Sequence, residues 1–221
     1  MPKLSRSQLS SSCIYSIANA VATEREIKQA CLDAKRYGSV SVCVGSSNAP
    51  IAREELKQSN IILNAAISYP FGGASIEAKC YEIESAIALG AQEVSMVMQI
   101  GRIKSGNFEY AKLEIDSALK ACQAIPLTAI IECYYLDDEE KIKICEIAKD
   151  SGVAFIQTNS GVDPVGATIS DVALIRQCVK QTVGVTAGGG IRSAMDVAAM
   201  LEAGANRVST PSLLQIVQGI E

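Results

Sequence analysis

Short apolar runs rich in strand-forming residues recur along this 221-residue chain at intervals that average about 28 residues. The eight runs begin near Cys13, Val40, Ile61, Glu93, Leu127, Ala154, Val183 and Arg207. A stretch with helical periodicity separates each run from the next. Parallel strands need a long crossover between them, and that crossover is usually a helix. The spacing therefore predicts repeated strand–helix units from one end of the chain to the other.

Capping residues and glycines mark where the predicted helices begin and end. Thr23 and Glu26 have the spacing of a capping box, in which each side chain bonds the other residue's backbone N–H. Two further pairs follow the same pattern with a shorter acid, Thr168 with Asp171 and Ser193 with Asp196. Helix ends are predicted at Gly38, Gly90, Gly152 and Gly204, because glycine adopts the left-handed conformation there without steric cost.

The strand-like runs are apolar throughout rather than alternating, as at 61–63 and 127–131. Strands of a parallel sheet look like this when helices cover both faces. Eight such units without a linker or a change in composition predict one α/β domain over residues 1–221, a single (β/α)8 TIM barrel. An open doubly wound sheet is the structural alternative.

Composition excludes several classes of function. The chain has no histidine, which removes the commonest general base, the usual zinc ligand and every histidine-dependent triad. Its net charge is −4 and its basic residues are scattered, so nucleic acid is not an expected partner. No tight cluster of carboxylates or soft donors predicts a metal site.

Membrane and secretory roles are not expected either. No apolar run reaches the roughly 18 residues that indicate a membrane span. The eight cysteines form no CxxC pair and most lie inside apolar runs. This pattern predicts reduced, buried thiols in a cytoplasmic protein.

The loops after the last two predicted strands resemble a phosphate-binding site. Residues 188–190 form a glycine triplet before a helix, and residues 209–212 bring hydroxyl groups to the start of another. Many barrels bind phosphate with these two loops, because backbone N–H groups are exposed at helix N-termini. The alternative is that the triplet only permits a tight turn.

Glu132 is predicted to be the only carboxylate within the apolar core of a strand. A buried acid must be paired or protonated, which makes Glu132 a candidate acid or base. A structural hydrogen-bonding role is the preferred alternative. Cys43 and Cys133 lie near strand ends, but no neighbouring histidine or lysine would activate either thiol. Three tyrosines could donate protons or cover the barrel mouth: Tyr69, Tyr134 and Tyr135.

Several segments, in order along nearly the whole chain, resemble the 2-deoxyribose-5-phosphate aldolase family. They are residues 73–79, 101–106, 131–133, 138–141, 145–149, 166–168 and 189–192. The resemblance implies a (β/α)8 barrel. It also implies cleavage of deoxyribose 5-phosphate to glyceraldehyde 3-phosphate and acetaldehyde through a Schiff base on a lysine, with no cofactor.

The catalytic positions that the resemblance implies are altered in this chain. Gln157 stands where the family motif Lys-Thr-Ser-Thr-Gly has its Schiff-base lysine, and an amide nitrogen cannot form an iminium. Thr186 replaces a second lysine that lowers the pKa of the first, and Ser95 replaces an aspartate of the proton relay. The matching phosphate positions are Gly161, Gly189, Gly190 and Ser212, whereas Pro211 replaces a serine.

These departures lead to two functional hypotheses. The first is a divergent family member that binds a small phosphorylated sugar or metabolite, without Schiff-base chemistry. The second is an active aldehyde-lyase or other sugar-phosphate enzyme that uses Glu132, a tyrosine or a relocated lysine, with Lys104 the candidate lysine. A purely structural protein is a further alternative. A homodimer is common for such barrels and is the expected assembly.

Overall fold

The computed structural model describes residues 5–219, and these residues form a closed eight-stranded parallel barrel in the order β1 to β8. The strands are β1 Cys13–Ile17, β2 Ser41–Gly45, β3 Ile62–Ile67, β4 Glu93–Val97, β5 Leu127–Ile130, β6 Phe155–Gln157, β7 Gly184–Gly188 and β8 Arg207–Thr210. The barrel confirms the predicted fold class and excludes the open sheet. Residues 1–4 and 220–221 of the predicted domain lie outside the described residues.

Helices surround the barrel, and all but the first and the last of those described lie between successive strands. They are α1 Arg6–Ser11, α2 Glu24–Tyr37, α3 Ala49–Glu55, α4 Ile76–Ala88, α5 Ile100–Lys104, α6 Phe108–Cys122, α7 Asp138–Ser151, α8 Ile169–Val179, α9 Ala194–Glu202 and α10 Leu213–Gln218. Within the described residues, no helix has the length and apolar character needed to cross a membrane.

The predicted boundaries agree closely with the structure. Every strand begins within one residue of its predicted position. Reciprocal capping boxes form at Thr23–Glu26 and Ser193–Asp196, and the Thr168 side chain accepts from the Asp171 N–H. The four predicted glycines all follow helices with positive φ. Local sequence signals therefore determine the element boundaries in this chain.

The apolar core lies mainly between the barrel and its helices. Side chains on the outer face of the strands, such as Val42, Met96 and Val185, are fully buried against helical residues. The barrel interior holds a much smaller apolar cluster, formed by Ile14, Cys43 and Ala66. Most of the other interior side chains are polar, among them Asn64, Glu93 and Arg207, which an apolar strand pattern does not predict.

A buried ion pair crosses this polar interior. The Arg207 guanidinium makes two hydrogen bonds to the Glu93 carboxylate, one of them 3.0 Å long, from the opposite side of the barrel. It also donates to Thr128 Oγ1 and Thr186 Oγ1, each at 3.1 Å. The Asn64 amide donates to Glu93 Oε1 at 3.0 Å. Both charges are thus neutralised and hydrogen-bonded, as burial requires.

Candidate functional site

An open cavity of about 450 Å³ lies at the carboxyl ends of the strands. Its walls come from loops that follow β1, β3, β6, β7 and β8. The predicted phosphate positions Gly161, Gly189 and Gly190 line this cavity, as does Pro211. Ser212 is not among the lining residues, and its N–H donates to Thr210 Oγ1 at 3.0 Å. The structure therefore brings together three of the four predicted residues.

The glycine loops pack closely against each other and leave backbone donors available. Gly161, Gly189 and Gly190 have φ values of 101°, 87° and 74°, a conformation that favours glycine. A Cβ on Gly166 would lie 2.6 Å from the Gly189 carbonyl carbon, so this approach also needs glycine. Within residues 5–219, the amide N–H groups of Gly161, Gly189 and Gly190 donate to no other group. Close packing and anion binding are both compatible with this loop.

The three positions that the resemblance predicts to be altered, Gln157, Thr186 and Ser95, lie in the barrel interior below this cavity. Gln157 on β6 is in register with Thr186 on β7, and both side chains are buried. The Gln157 amide nitrogen donates to the Asn159 carbonyl at 2.8 Å, and Thr186 Oγ1 accepts from Arg207. Ser95 Oγ accepts from the Asn64 amide at 2.9 Å. The side chains at these three positions are therefore uncharged and hydrogen-bonded, and they lie close to the ion pair of Arg207 and Glu93.

A narrow neck separates the outer cavity from a small inner space. Four residues line both: Ser16, Tyr69, Ser160 and Ser209. The Tyr69 hydroxyl donates to the Ser160 carbonyl at 2.8 Å, which joins the loop after β3 to the loop after β6. The inner space, where Gln157 and Ser95 lie, has a volume of only about 10 Å³. A space of this size holds at most one water molecule.

The structure corrects two sequence predictions about Glu132. Glu132 lies beyond the end of β5, with a left-handed backbone at φ 49°, rather than within the strand. Glu93 is a buried carboxylate inside β4, so the described strands do hold a buried acid, but it is Glu93 and not Glu132. Glu93 and Arg207 have opposite charges and each lies in an apolar run. This is the sequence signal from which the ion pair could have been predicted.

The contacts of Glu132 indicate a structural role, in which it holds a residue of the cavity wall in place. Its Oε1 accepts from the Ser160 backbone N–H at 2.8 Å, while its Oε2 has no hydrogen-bond partner in the described chain. Burial raises the pKa of Glu132, and hydrogen bonds from Ser160 oppose that rise. Glu132 does not line either cavity. It contacts the site through Ser160.

The candidate lysines lie away from the cavity. Lys79 is buried in α4, where it pairs with Glu114 of α6 and donates to the Val97 carbonyl at 2.7 Å. Burial lowers the pKa of Lys79, and the adjacent carboxylate opposes that change. Lys104 ends α5 and its Nζ lies 2.7 Å from Glu140 Oε2, with nearly half of its side chain exposed. Among the described residues that line the cavities, none is a lysine.

Other candidate groups are unreactive or lie elsewhere. Cys43 lines the inner space, and burial raises its pKa to about 12. Burial also raises the pKa of Cys133, which lines neither cavity. Tyr134 and Tyr135 stack edge to face at 5.1 Å, outside both cavities. Burial raises the pKa of Tyr69, so its hydroxyl stays protonated at neutral pH.

Comparison with known proteins identifies the family. The model of the DeoC/LacD family aldolases matches residues 13–216. The chain belongs to this family. A family relative named deoxyribose-phosphate aldolase, from Caldanaerobacter subterraneus subsp. tengcongensis, is 42% identical over 200 residues, which cover 89% of this chain and 87% of the relative. The enzyme of that name from Thermococcus gammatolerans is 40% identical over 202 residues, with 90% of each chain covered.

Similar solved structures agree with the barrel. A structure described as QR15, an aldolase, superposes with a TM-score of 0.91 at 28% identity and covers 96% of this chain and 95% of its own. The deoxyribose phosphate aldolase from Aeropyrum pernix, described as a unique tetrameric structure, has a TM-score of 0.91 at 23% identity. It covers 97% of this chain and 92% of its own. These matches support the (β/α)8 fold predicted from the strand spacing.

Proposed function

We propose that this member of the aldolase family binds a small phosphorylated metabolite at the barrel mouth and does not perform Schiff-base aldolase chemistry. The observation that carries the proposal is the state of Gln157. Its amide nitrogen donates to the Asn159 carbonyl, and the amide lone pair is delocalised, so it cannot attack a carbonyl carbon. In the described part of the chain, no lysine lines the cavity to replace it.

Phosphate binding is supported by backbone hydrogen-bond donors in residues that line the outer cavity. The N–H groups of Gly161, Gly189 and Gly190 have no partner within the described residues, and Arg192 lines the same wall. Backbone N–H groups of this kind bind phosphate oxygens well, and a guanidinium strengthens the interaction. No carboxylate lies among the described lining residues to repel a dianion. This arrangement favours a phosphate monoester.

The proposal is tested with 2-deoxyribose 5-phosphate and borohydride. We expect the unmodified protein to release no acetaldehyde and to gain no mass after borohydride reduction, because no lysine amine lies among the described lining residues to form the reducible imine. Gln157→Lys and Gln157→Lys/Thr186→Lys are the matched variants, and imine trapping in either would show that the pocket still admits the sugar phosphate. Turnover or trapping in the unmodified protein would refute the loss of Schiff-base chemistry.

Binding is measured separately, by calorimetric titration with inorganic phosphate and 2-deoxyribose 5-phosphate. We expect both to bind, and we expect Gly190→Val to abolish binding, because a side chain at φ 74° is strained and points into the glycine loop. Circular dichroism confirms that the variant is folded. Absence of binding by the unmodified protein would refute the proposed phosphate site.

The alternative is an enzyme of changed chemistry that uses Glu132 or Tyr69. Burial raises the pKa of Glu132, as a general acid requires, and this is the observation in its favour. If any activity is found with sugar phosphates, Glu132→Gln separates the two hypotheses. Loss of that activity in a folded variant would support the alternative, and unchanged activity would exclude a catalytic role for Glu132.

We also propose a homo-oligomeric, cytoplasmic protein, with a homodimer as the simplest assembly. The tetrameric description of the Aeropyrum pernix relative supports an oligomer. On this chain, the adjacent helices α4 and α6 expose two large apolar side chains, Tyr81 and Leu113. All eight cysteines are free, as expected in a reducing compartment. Light scattering after gel filtration gives the assembly, and a monomeric mass would refute it.

A further inference from the structure

The outer cavity is larger and more apolar than a short sugar phosphate requires. Its volume of about 450 Å³ lies within the range of about 300–1,000 Å³ that is typical of pockets for drug-sized ligands. Apolar side chains form part of the lining, including Pro70 and Phe71 of the loop after β3 and Val162, which follows Gly161. Phe71 is 81% exposed and Val162 is 46% exposed. Large apolar side chains that are exposed together at a cavity mark a surface that a ligand can bury.

The space below the outer cavity is too small for a ligand. Tyr69 and Ser160 are hydrogen-bonded and line both spaces, and the inner space admits at most one water molecule. A ligand that is anchored by phosphate at Gly189 and Gly190 therefore has its organic part in the outer cavity. Phe71 lines that cavity and is exposed there.

Charge restricts the ligand further. Among the described residues that line the outer cavity, Arg192 alone carries a full charge at neutral pH. The glycine loops and Arg192 therefore suit a phosphate dianion, and the exposed Phe71 side chain suits an uncharged apolar group. The described lining offers no carboxylate to bind an amine and no second cation to bind another acid.

We infer that the ligand is a phosphate monoester whose organic part carries an aromatic or similarly planar apolar group, which packs against Phe71. This inference rests on the proposed phosphate site and specifies what that site binds. Stacking on Phe71 and burial of the ring distinguish such an ester from deoxyribose 5-phosphate, whose hydroxyl groups would lose hydration against an apolar wall.

The test compares four probes by calorimetric titration: inorganic phosphate, 2-deoxyribose 5-phosphate, phenyl phosphate and benzyl alcohol. We expect phenyl phosphate to bind about tenfold more tightly than the sugar phosphate. Phe71→Ala removes this advantage and leaves the affinity for inorganic phosphate unchanged. Tyr81→Ala is the matched control, because Tyr81 is another exposed aromatic residue, 74% exposed, and does not line the cavity.

Each outcome separates the inference from the function on which it rests. If phosphate and the sugar phosphate bind and phenyl phosphate binds no more tightly, the inference is wrong and the proposed function stands. If Phe71→Ala and Tyr81→Ala have equal effects, Phe71 is not the contact and the inference is also wrong. If benzyl alcohol binds as tightly as phenyl phosphate, the phosphate group contributes nothing to binding, and the inference of a phosphate monoester is refuted. Absence of all binding refutes both.

Discussion

Replacement of Arg207 by methionine tests whether the buried ion pair stabilises the barrel. The guanidinium makes two hydrogen bonds to Glu93, donates to Thr128 and Thr186, and lies 3.5 Å from the centroid of the Phe155 ring. Arg207→Met removes all four hydrogen bonds and leaves the Glu93 carboxylate, which is 2% exposed, without a counter-charge.

Removal of one partner from a buried pair costs about 3–5 kcal/mol of unfolding free energy. In a chain of this size, each kcal/mol shifts the Tm by about 2–4 °C, so we expect Arg207→Met to unfold about 6–20 °C below the unmodified protein. Thermal unfolding gives the Tm and urea unfolding gives the free energy. Both are followed by far-ultraviolet circular dichroism, because the chain has no tryptophan for a fluorescence measurement.

Two further variants identify the cause of the loss. Glu93→Gln/Arg207→Met removes both charges, and we expect it to be more stable than Arg207→Met alone, since the uncompensated carboxylate is gone. Lys104→Met breaks an exposed pair with Glu140 and is expected to cost at most about 1 kcal/mol. The reasoning is refuted if Arg207→Met costs no more than Lys104→Met.

Three other predictions follow from described contacts. Burial raises the pKa of Glu132 in the folded state, so its stabilising contribution is complete below the unfolded pKa and is lost as pH rises through the folded value. As pH rises above the unfolded pKa of a glutamate, the unfolding free energy should therefore fall more steeply in the unmodified protein than in Glu132→Gln, and parallel pH dependences in urea unfolding would contradict this. A Cβ on Gly188 would lie 2.6 Å from Gln157 Nε2, whereas one on Gly73 meets nothing within 4 Å. Gly188→Ala should lower the unfolding free energy by about 1–3 kcal/mol and Gly73→Ala by about 0.5 kcal/mol or less, measured by thermal unfolding. Equal losses would contradict the expected steric clash at Gly188. In native protein at pH 8, only the half-buried Cys80 and Cys178 should react rapidly with a thiol reagent, and peptide mapping that finds rapid labelling elsewhere would contradict the burial.

The fold was predictable because its signals are local. Apolar strand runs, capping pairs such as Thr23–Glu26 and helix-ending glycines each act over a few residues, and all are found where the sequence indicates. The positions of Gln157 and Thr186 side by side also follow once the strands are in order.

The shape of the site was not predictable, because its decisive contacts join distant residues. Tyr69 and Ser160 are 91 positions apart, and no local pattern indicates that their hydrogen bond narrows the barrel mouth. The sequence predicts only that Glu93 begins an apolar strand, because its partner Arg207 lies 114 positions later. The sequence therefore shows which side chains are missing from the site, such as a lysine at position 157. The dimensions of the site depend on the folded barrel.

The pairing of Glu93 with Arg207 also determines when the chain can fold during its synthesis. A ribosome that adds about 5–20 residues per second needs about 6–23 seconds to advance from one to the other. Until then, the emerging chain holds a carboxylate with no counter-charge, and β1 lacks its neighbour β8. Closure of the barrel therefore waits for the last strand, and a nascent chain that is shorter than this depends on protection from aggregation.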